Sequence, residues 1–241
     1  MTPPLFLLVD LPAGDHAVLD GPEGRHAATV KRLRPGETVL LGDGCGVLAA
    51  CVVAKVGRDV VELALTDRSV VPAPSPRVAV AQALVKGDRG ELAVELATEA
   101  GVDALIPWTA ARCVARWAGD KGLARWQRTA REAAKQARRA WVPPIAPPAT
   151  TRELAGRVAA VDCALVLHEA ATTTLAEVAL PAAGEILLMV GPEGGITDDE
   201  LGLLTAAGAQ AVRLGPEVLR ASTAAAVALG ALGALTGRWP R

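Results

Sequence analysis

The hydrophobic pattern divides the chain into two parts. In the first seventy residues the apolar runs are short: 5–9, 37–41, 47–56 and 60–65. Gly42-Asp43-Gly44 and Gly57-Arg58-Asp59 separate the last three, as hairpin turns do. Strands at this spacing predict a small barrel, with one short helix over 24–33. After residue 77 the pattern changes. Apolar runs at 78–85, 104–108, 161–167, 186–190 and 211–214 alternate with helical signals at 91–100, 121–139 and 221–236. That alternation predicts an α/β layer structure with a mainly parallel sheet. Between the two parts lies VVPAPSPR, residues 70–77, whose three prolines mark a linker. The expected domains are therefore 1–71 and 72–241.

The richest stretch is 185–226. Its first strand runs into Gly191-Pro192-Glu193-Gly194-Gly195, and Thr197-Asp198-Asp199-Glu200 then reads as a capping box opening a helix. Its second strand ends at Gly215-Pro216-Glu217, and Val218-Leu219-Arg220-Ala221-Ser222-Thr223 opens an alanine-rich helix. Two such loops leaving one sheet edge can form a ligand crevice at the strand ends. His168, at the end of the 161–167 strand, is either a catalytic group or a backbone-bonded or ligand-edge histidine. GPEGG lacks the lysine and hydroxyl of a Walker loop, which argues against a nucleotide triphosphatase.

Charge sharpens this picture. The 241-residue chain is 51% hydrophobic and 21% charged, with a net charge of −1, so any nucleic-acid surface must be local. Residues 112–141 carry nine basic side chains against two acidic ones, a net +7. Lys121, Arg125, Arg128, Lys135 and Arg139 recur at helical spacing with Glu132, opposite Leu123, Trp126, Ala130, Ala133 and Ala137. Arg25, His26, Lys31, Arg32 and Arg34 make a second basic cluster. Each is either a solvated face or a site for an anionic polymer. Trp108, Trp117, Trp126 and Trp141 lie in or beside the 112–141 segment; one could stack a base, but core packing is the better reading of each. Four cysteines without a C-x-x-C pair read as reduced thiols, consistent with a cytosolic protein without a targeting segment. Three scattered histidines offer no metal-ligand spacing, and 221–235 is too short for a bilayer.

The pieces RHAATVKRLRPGE, ALVKGDRGELAVELATEAGVDALIPW, RWQRTAREAAKQARRAWVPP, LVLHE, LMVGPEGGIT and LGPEVLRASTA occur in that order across nearly the whole chain. Together they resemble the bacterial 16S ribosomal RNA uracil-N3 methyltransferase family of the SPOUT superfamily. The resemblance implies a PUA-like N-terminal β-barrel that binds RNA and a C-terminal SPOUT α/β domain with a trefoil knot. It implies a cytoplasmic homodimer that acts on 16S ribosomal RNA of the small ribosomal subunit, with S-adenosyl-L-methionine as methyl donor and neither metal nor membrane. The cofactor is expected among Leu167, His168, Gly191, Pro192, Glu193, Gly194, Gly195, Leu214, Gly215, Leu219, Arg220, Thr223 and Ala224. Arg220 is the candidate catalytic cation, favouring a uracil anion. Glu193 is either a base or a turn carboxylate. Arg25, Lys31, Arg32, Arg34, Arg112, Arg128, Arg131, Gln136 and Arg139 are expected to face RNA. Two positions depart from many members, which have Glu where this chain has Ser222 and Lys135; Lys135 is expected to add charge to the RNA side. The rival readings are another SPOUT enzyme acting on transfer RNA or a ribose hydroxyl, and a non-catalytic RNA-binding assembly factor.

Overall fold

A computed structural model describes residues 2–117 and 119–239. The chain forms two compact units, Met1–Ala73 with Ala134–Val142, and Pro74–Ala133 with Pro143–Arg241. The outer ends of the expected domains, residues 1 and 241, lie outside the described residues.

The first unit holds strands β1 (Leu5–Leu7), β2 (His16–Leu19), β3 (Thr38–Gly42), β4 (Val47–Val56) and β5 (Val61–Val70) in the order β1-β3-β4-β5-β2. β1 pairs with β3 in parallel and the other pairings are antiparallel. Alternate residues point inward: Val39 and Leu41, Ala49, Cys51 and Val53, Val61 and Leu63. Phe6 from one edge strand and Leu19 from the other join the same core. A sheet whose two edges share one core has curled into the expected barrel-like form. Register shifts at Ala50/Cys51 and Val53/Lys55 help, because bulges bend the strand and raise its twist. The first hairpin turn is set by Asp43, whose Oδ1 accepts from the amides of Cys45 and Val47 at 2.7 and 3.0 Å. In place of one helix over 24–33 there is α1 (Gly21–Arg25) followed by a wide π turn over His26–Val30.

The segment 134–142, which the hydrophobic pattern leaves in the second domain, packs within this first unit. Lys135 Nζ lies 2.8 Å from Glu23 Oε1, with the lysine buried and the glutamate half-buried. Arg138 donates to the carbonyls of Pro3 and Thr2. The Trp141 indole donates to the Val71 carbonyl and lies over Gly46, where a Cβ would sit 2.6 Å from the ring. The expectation for Lys135 is therefore corrected: its ammonium is buried against a carboxylate and adds nothing to an exposed basic face.

The second unit is a five-stranded sheet ordered β10-β8-β9-β6-β7, with every pairing parallel. Its strands are β6 (Arg77–Ala83), β7 (Ala104–Trp108), β8 (Cys163–Leu167), β9 (Glu185–Val190) and β10 (Gln210–Val212). Its helices are α2 (Arg89–Glu99), α3 (Lys121–Gln136) as far as Ala133, α4 (Thr151–Val158), α5 (Asp198–Ala206) and α6 (Ala221–Leu235). Near-continuous apolar runs such as CALVL and EILLMV are what strands covered on both faces require. α6 buries Ala221, Ser222, Ala224, Ala225 and Ala228, so small residues let it pack closely. Ser222 is 4% exposed. After α6 the chain is clamped: Arg238 Nη1 lies 2.6 Å from Asp103 Oδ2, both groups buried, and Arg238 also donates to the carbonyls of Gly101 and Pro76. On α3, Lys121, Arg125, Arg128 and Glu132 are exposed while Trp126, Ala130 and Ala133 are buried, as the spacing predicts. Among the described residues no helix is long and apolar enough to cross a membrane.

Removing one partner of a buried ion pair leaves an uncompensated charge, so Lys135→Ala is expected to destabilise the protein by about 3–5 kcal/mol. Urea unfolding measures this, and the Glu23→Ala/Lys135→Ala double variant should recover part of the loss. A double variant as unstable as the sum of the single ones would show that the pair is not coupled.

Candidate active site

In a parallel sheet every strand ends at the same edge, and the register decides which exits are level. Leu167 of β8 pairs with Val190 of β9 on one side and with Val212 of β10 on the other. The chain therefore leaves the sheet side by side at His168, Gly191 and Arg213. The His168 amide donates to the Val212 carbonyl at 3.0 Å, and its Nδ1 accepts from the Ala170 amide at 3.3 Å. That bond is what the backbone-bonded reading of His168 expects. Thr173 and Leu175 then run back beside Arg213, exchanging two backbone hydrogen bonds of 2.9 Å with it. Leu214 and Gly215 thus start from a pinned point, half-buried, and residues 216–220 are exposed.

The glycine loop is shaped by what it approaches. A Cβ on Gly191 would sit 2.6 Å from Ile196 Cγ1, Gly194 lies against the Arg112 side chain, and Gly195 has φ +76°. The Gly195 amide donates to the Pro192 carbonyl at 2.9 Å, closing the turn. Arg112, one of the residues expected to face RNA, is exposed and donates from Nη1 to the Gly194 carbonyl at 3.0 Å. Glu193 lies 3.7 Å from Arg89, an exposed pair that favours the turn-carboxylate reading of Glu193.

A second tie to this loop lies in α5. Glu200 is 8% exposed. Its Oε1 accepts from the Ala111 amide at 2.9 Å and the Thr151 hydroxyl at 2.7 Å, and its Oε2 accepts from the amide and hydroxyl of Thr197. Thr151 in turn accepts from the Trp108 indole N–H at 3.0 Å. One carboxylate thus joins the loop after β7, the start of α4 and the capped start of α5. Burial pushes the Glu200 carboxyl up, but the bonds from Thr151, Ala111 and Thr197 more than offset it and hold its pKa below the ordinary value. The T-x-x-E spacing gives half of this arrangement; the partners 49 and 89 residues away carry no sequence signal.

Arg220 is the residue before α6, extended at φ −67°, ψ 147°, with its carbonyl accepting from the Thr223 and Ala224 amides at 3.0 Å. Its side chain is exposed, Thr223 is half-buried, Leu219 is 36% exposed and Ala224 is buried. Of the residues expected to face RNA, Arg25, Lys31, Arg32, Arg34 and Gln136 are exposed and Arg139 is half-buried in the first unit; Arg128 is exposed and Arg131 half-buried in the second. Among the described residues no group of three or more His, Cys, Asp or Glu side chains is placed to hold a metal. Burial raises the pKa of Cys51 to about 11 and raises those of Cys113 and Cys163, so these thiols stay protonated.

Glu200→Gln is expected to cost about 2–3 kcal/mol, since donors that meet a carboxylate are left facing an amide. The folded-state pKa is lowered, so the carboxylate's contribution is complete above the ordinary carboxylate pKa and is lost as pH falls through the lowered value. Urea unfolding at several pH values should show the gap between wild type and Glu200→Gln shrinking as the solution is acidified. A gap that does not change with pH would contradict this role.

Comparison with known proteins agrees with this architecture. Residues 72–233 match the model of an RNA methyltransferase domain, and residues 19–65 that of an RNA methyltransferase PUA domain. The chain is 55% identical over 243 residues to a Ribosomal RNA small subunit methyltransferase E of Mycobacterium bovis, covering 98% of this chain and 93% of that one. A protein of the same name from Synechocystis is 35% identical, covering 86% and 69%. The crystal structure of the Neisseria gonorrhoeae protein of that name, bound to S-adenosyl methionine, superimposes with a TM-score of 0.88 at 31% identity, covering 99% of this chain and 100% of the other. With relatives this similar along its whole length, a PUA-type sheet before an all-parallel α/β unit, and strand-end loops level at one edge, the chain belongs to the Ribosomal RNA small subunit methyltransferase E family.

Proposed function

We propose that this protein methylates N3 of a uridine in small-subunit (16S) ribosomal RNA, with S-adenosylmethionine as donor. The observation that carries the reading is the level exit of β8, β9 and β10 into His168, Gly191 and Arg213, in a chain so similar to methyltransferases of that RNA. The residues present fit the donor. Gly191 and Gly194 let the loop fold tightly onto Ile196 and Arg112, and half-buried Leu167 and Leu214 offer apolar flanks beside it. Leu167, His168, Gly191–Gly195, Leu214, Gly215, Leu219, Thr223 and Ala224 would hold it. When bound, it supplies an electrophilic methyl group on a sulfonium.

The protein's task is then mostly positioning, because in-line displacement gains most from a near-attack arrangement. The acceptor nitrogen of uracil carries a proton that must leave. Arg220 is exposed at the amino end of α6, where the helix dipole also favours negative charge. It stabilises the uracil anion formed as the N3 proton passes to solvent. The exposed Arg25, Lys31, Arg32 and Arg34 contact RNA phosphates, with Gln136 and Arg139 in the same unit; Arg128 and Arg131 do so from the second. The domain roles follow: an RNA-binding PUA-like domain and a catalytic domain with the family's knotted carboxyl end. The working state is a cytosolic homodimer that uses no metal.

Purified protein incubated with S-adenosylmethionine and small subunits from cells lacking the gene should produce N3-methyluridine, read by mass spectrometry of nucleosides. No methylated product, or methyl on another atom, would overturn the reading. Arg220→Ala is expected to lower kcat about 100-fold, the scale of one lost charge-stabilising group, while calorimetry shows little change in donor affinity. Undiminished turnover in that variant would remove Arg220 from the chemistry.

A further inference from the structure

Two cavities are lined by residues outside the glycine loop. They flank the turn that follows β6, at the same carboxyl edge of the sheet. One, of about 280 Å³, is bordered by Lys86, Asp88, Glu91, Arg116, Trp117 and Arg125. An open depression of about 600 Å³, bordered by Lys86, Asp88, Arg89 and Leu92, shares part of its lining. The smaller cavity is near the low end of the roughly 300–1,000 Å³ typical of ligand pockets, a size for one base rather than a whole cofactor.

Its wall is built around an indole. A Cβ on Gly122 would lie 2.3–2.5 Å from three atoms at the centre of the Trp117 ring, so α3 presses its bare backbone onto one face of that ring. Gly122 is the second residue of α3, and the indole's approach there excludes anything larger. Trp126 meets Trp117 edge to face, with centroids 5.0 Å apart at 87°. Packed against Gly122 and Trp126, Trp117 remains half-buried and is one of the residues that border the cavity. At the rim, Lys86 and Arg116 are exposed, and Glu91 holds Arg125 at 3.3 Å. A rigid aromatic beside two exposed cations is how single-stranded RNA is held: the base stacks and the phosphate is neutralised.

The location suits a neighbour of the target nucleotide. β6 pairs directly with β9, so the turn after β6 leaves the sheet beside the glycine loop, about 4.8 Å away in the pairing direction. Arg89 and Glu193 connect the two at 3.7 Å.

We infer that this cavity is a second nucleotide subsite, in which the base of a nucleotide next to the methylated uridine stacks on Trp117 while Lys86 and Arg116 take its phosphate. The inference rests on the proposed function above, and the test separates the two. Wild-type protein that does not methylate small-subunit RNA defeats the function; wild-type activity with no effect of the variants below defeats only the subsite. Trp117→Ala is expected to raise KM for RNA about 5- to 100-fold, the range of one stacked base, with kcat and the calorimetric affinity for S-adenosylmethionine little changed. Trp117→Phe should restore most of the loss, which a simple packing defect would not predict. The Lys86→Ala/Arg116→Ala double variant should raise KM and lower the dependence of RNA affinity on salt by about one phosphate contact. Those two side chains are on the surface, so this variant decides the matter if Trp117→Ala fails to fold. An unchanged KM and salt slope in the double variant would overturn the subsite.

Discussion

The parallel register of β10, β8 and β9 is the constraint on which the rest depends. It sets Leu167, Val190 and Val212 on one line, and everything that could touch a ligand leaves the sheet from that line. The register is held by burial. Ile186 to Val190 and Cys163 to Val166 are apolar and enclosed on both faces, so a strand out of step would lose its ladder partners and its packing together. A longitudinal slip of a single residue in β8 would separate the exits by about 3.3 Å, enough to spoil a cradle for a small molecule.

Polar side chains finish what the apolar core begins, and they differ in weight. The exposed Arg89–Glu193 pair contributes at most about 1 kcal/mol and is weakened by salt. Glu200 is of another kind: buried, fully used as an acceptor, and joined to three elements at once. With Arg112 on the Gly194 carbonyl, it fixes the loop after β7 to the loop after β9 at two points. Both ties use side chains that point away from open solvent or onto backbone, so the loops are held in place without crowding the cleft with charge. For a reaction that gains most of its rate from arrangement, stiff loops on a rigid sheet are the main requirement.

The sheet strands of the second unit are legible in the sequence because fully buried strands are written as unbroken apolar runs, and 104–108 is recovered without error. The glycine loops and the Thr197 capping box are equally legible, because their residue types serve backbone needs that are local. What is not legible is whatever depends on distant partners. β2 is only His16–Leu19, alternately exposed and buried, and four such residues make too weak a pattern to stand out. α4 has a complete capping box at Thr150 and Glu153, yet only eight residues follow it. Lys135 reads as one more cation on a basic helix, and nothing near it in sequence announces Glu23, 112 residues earlier, as its partner. Arg112 likewise belongs to the +7 segment by composition but to the glycine loop by contact. The family resemblance supplied the cofactor and the methylated base, neither of which spacing or hydrophobicity encodes.

The most direct measurement of the central claim is diffraction from crystals grown with S-adenosylhomocysteine, the demethylated form of the donor. Density for the ligand is expected against Gly191–Gly195 on one side and residues 214–220 on the other, with its sulfur turned toward the Arg220 side of the cleft. Density at another edge of the sheet, or these two loops found too far apart to touch one ligand, would contradict the claim that the level exits of β8, β9 and β10 form the methyl-donor site.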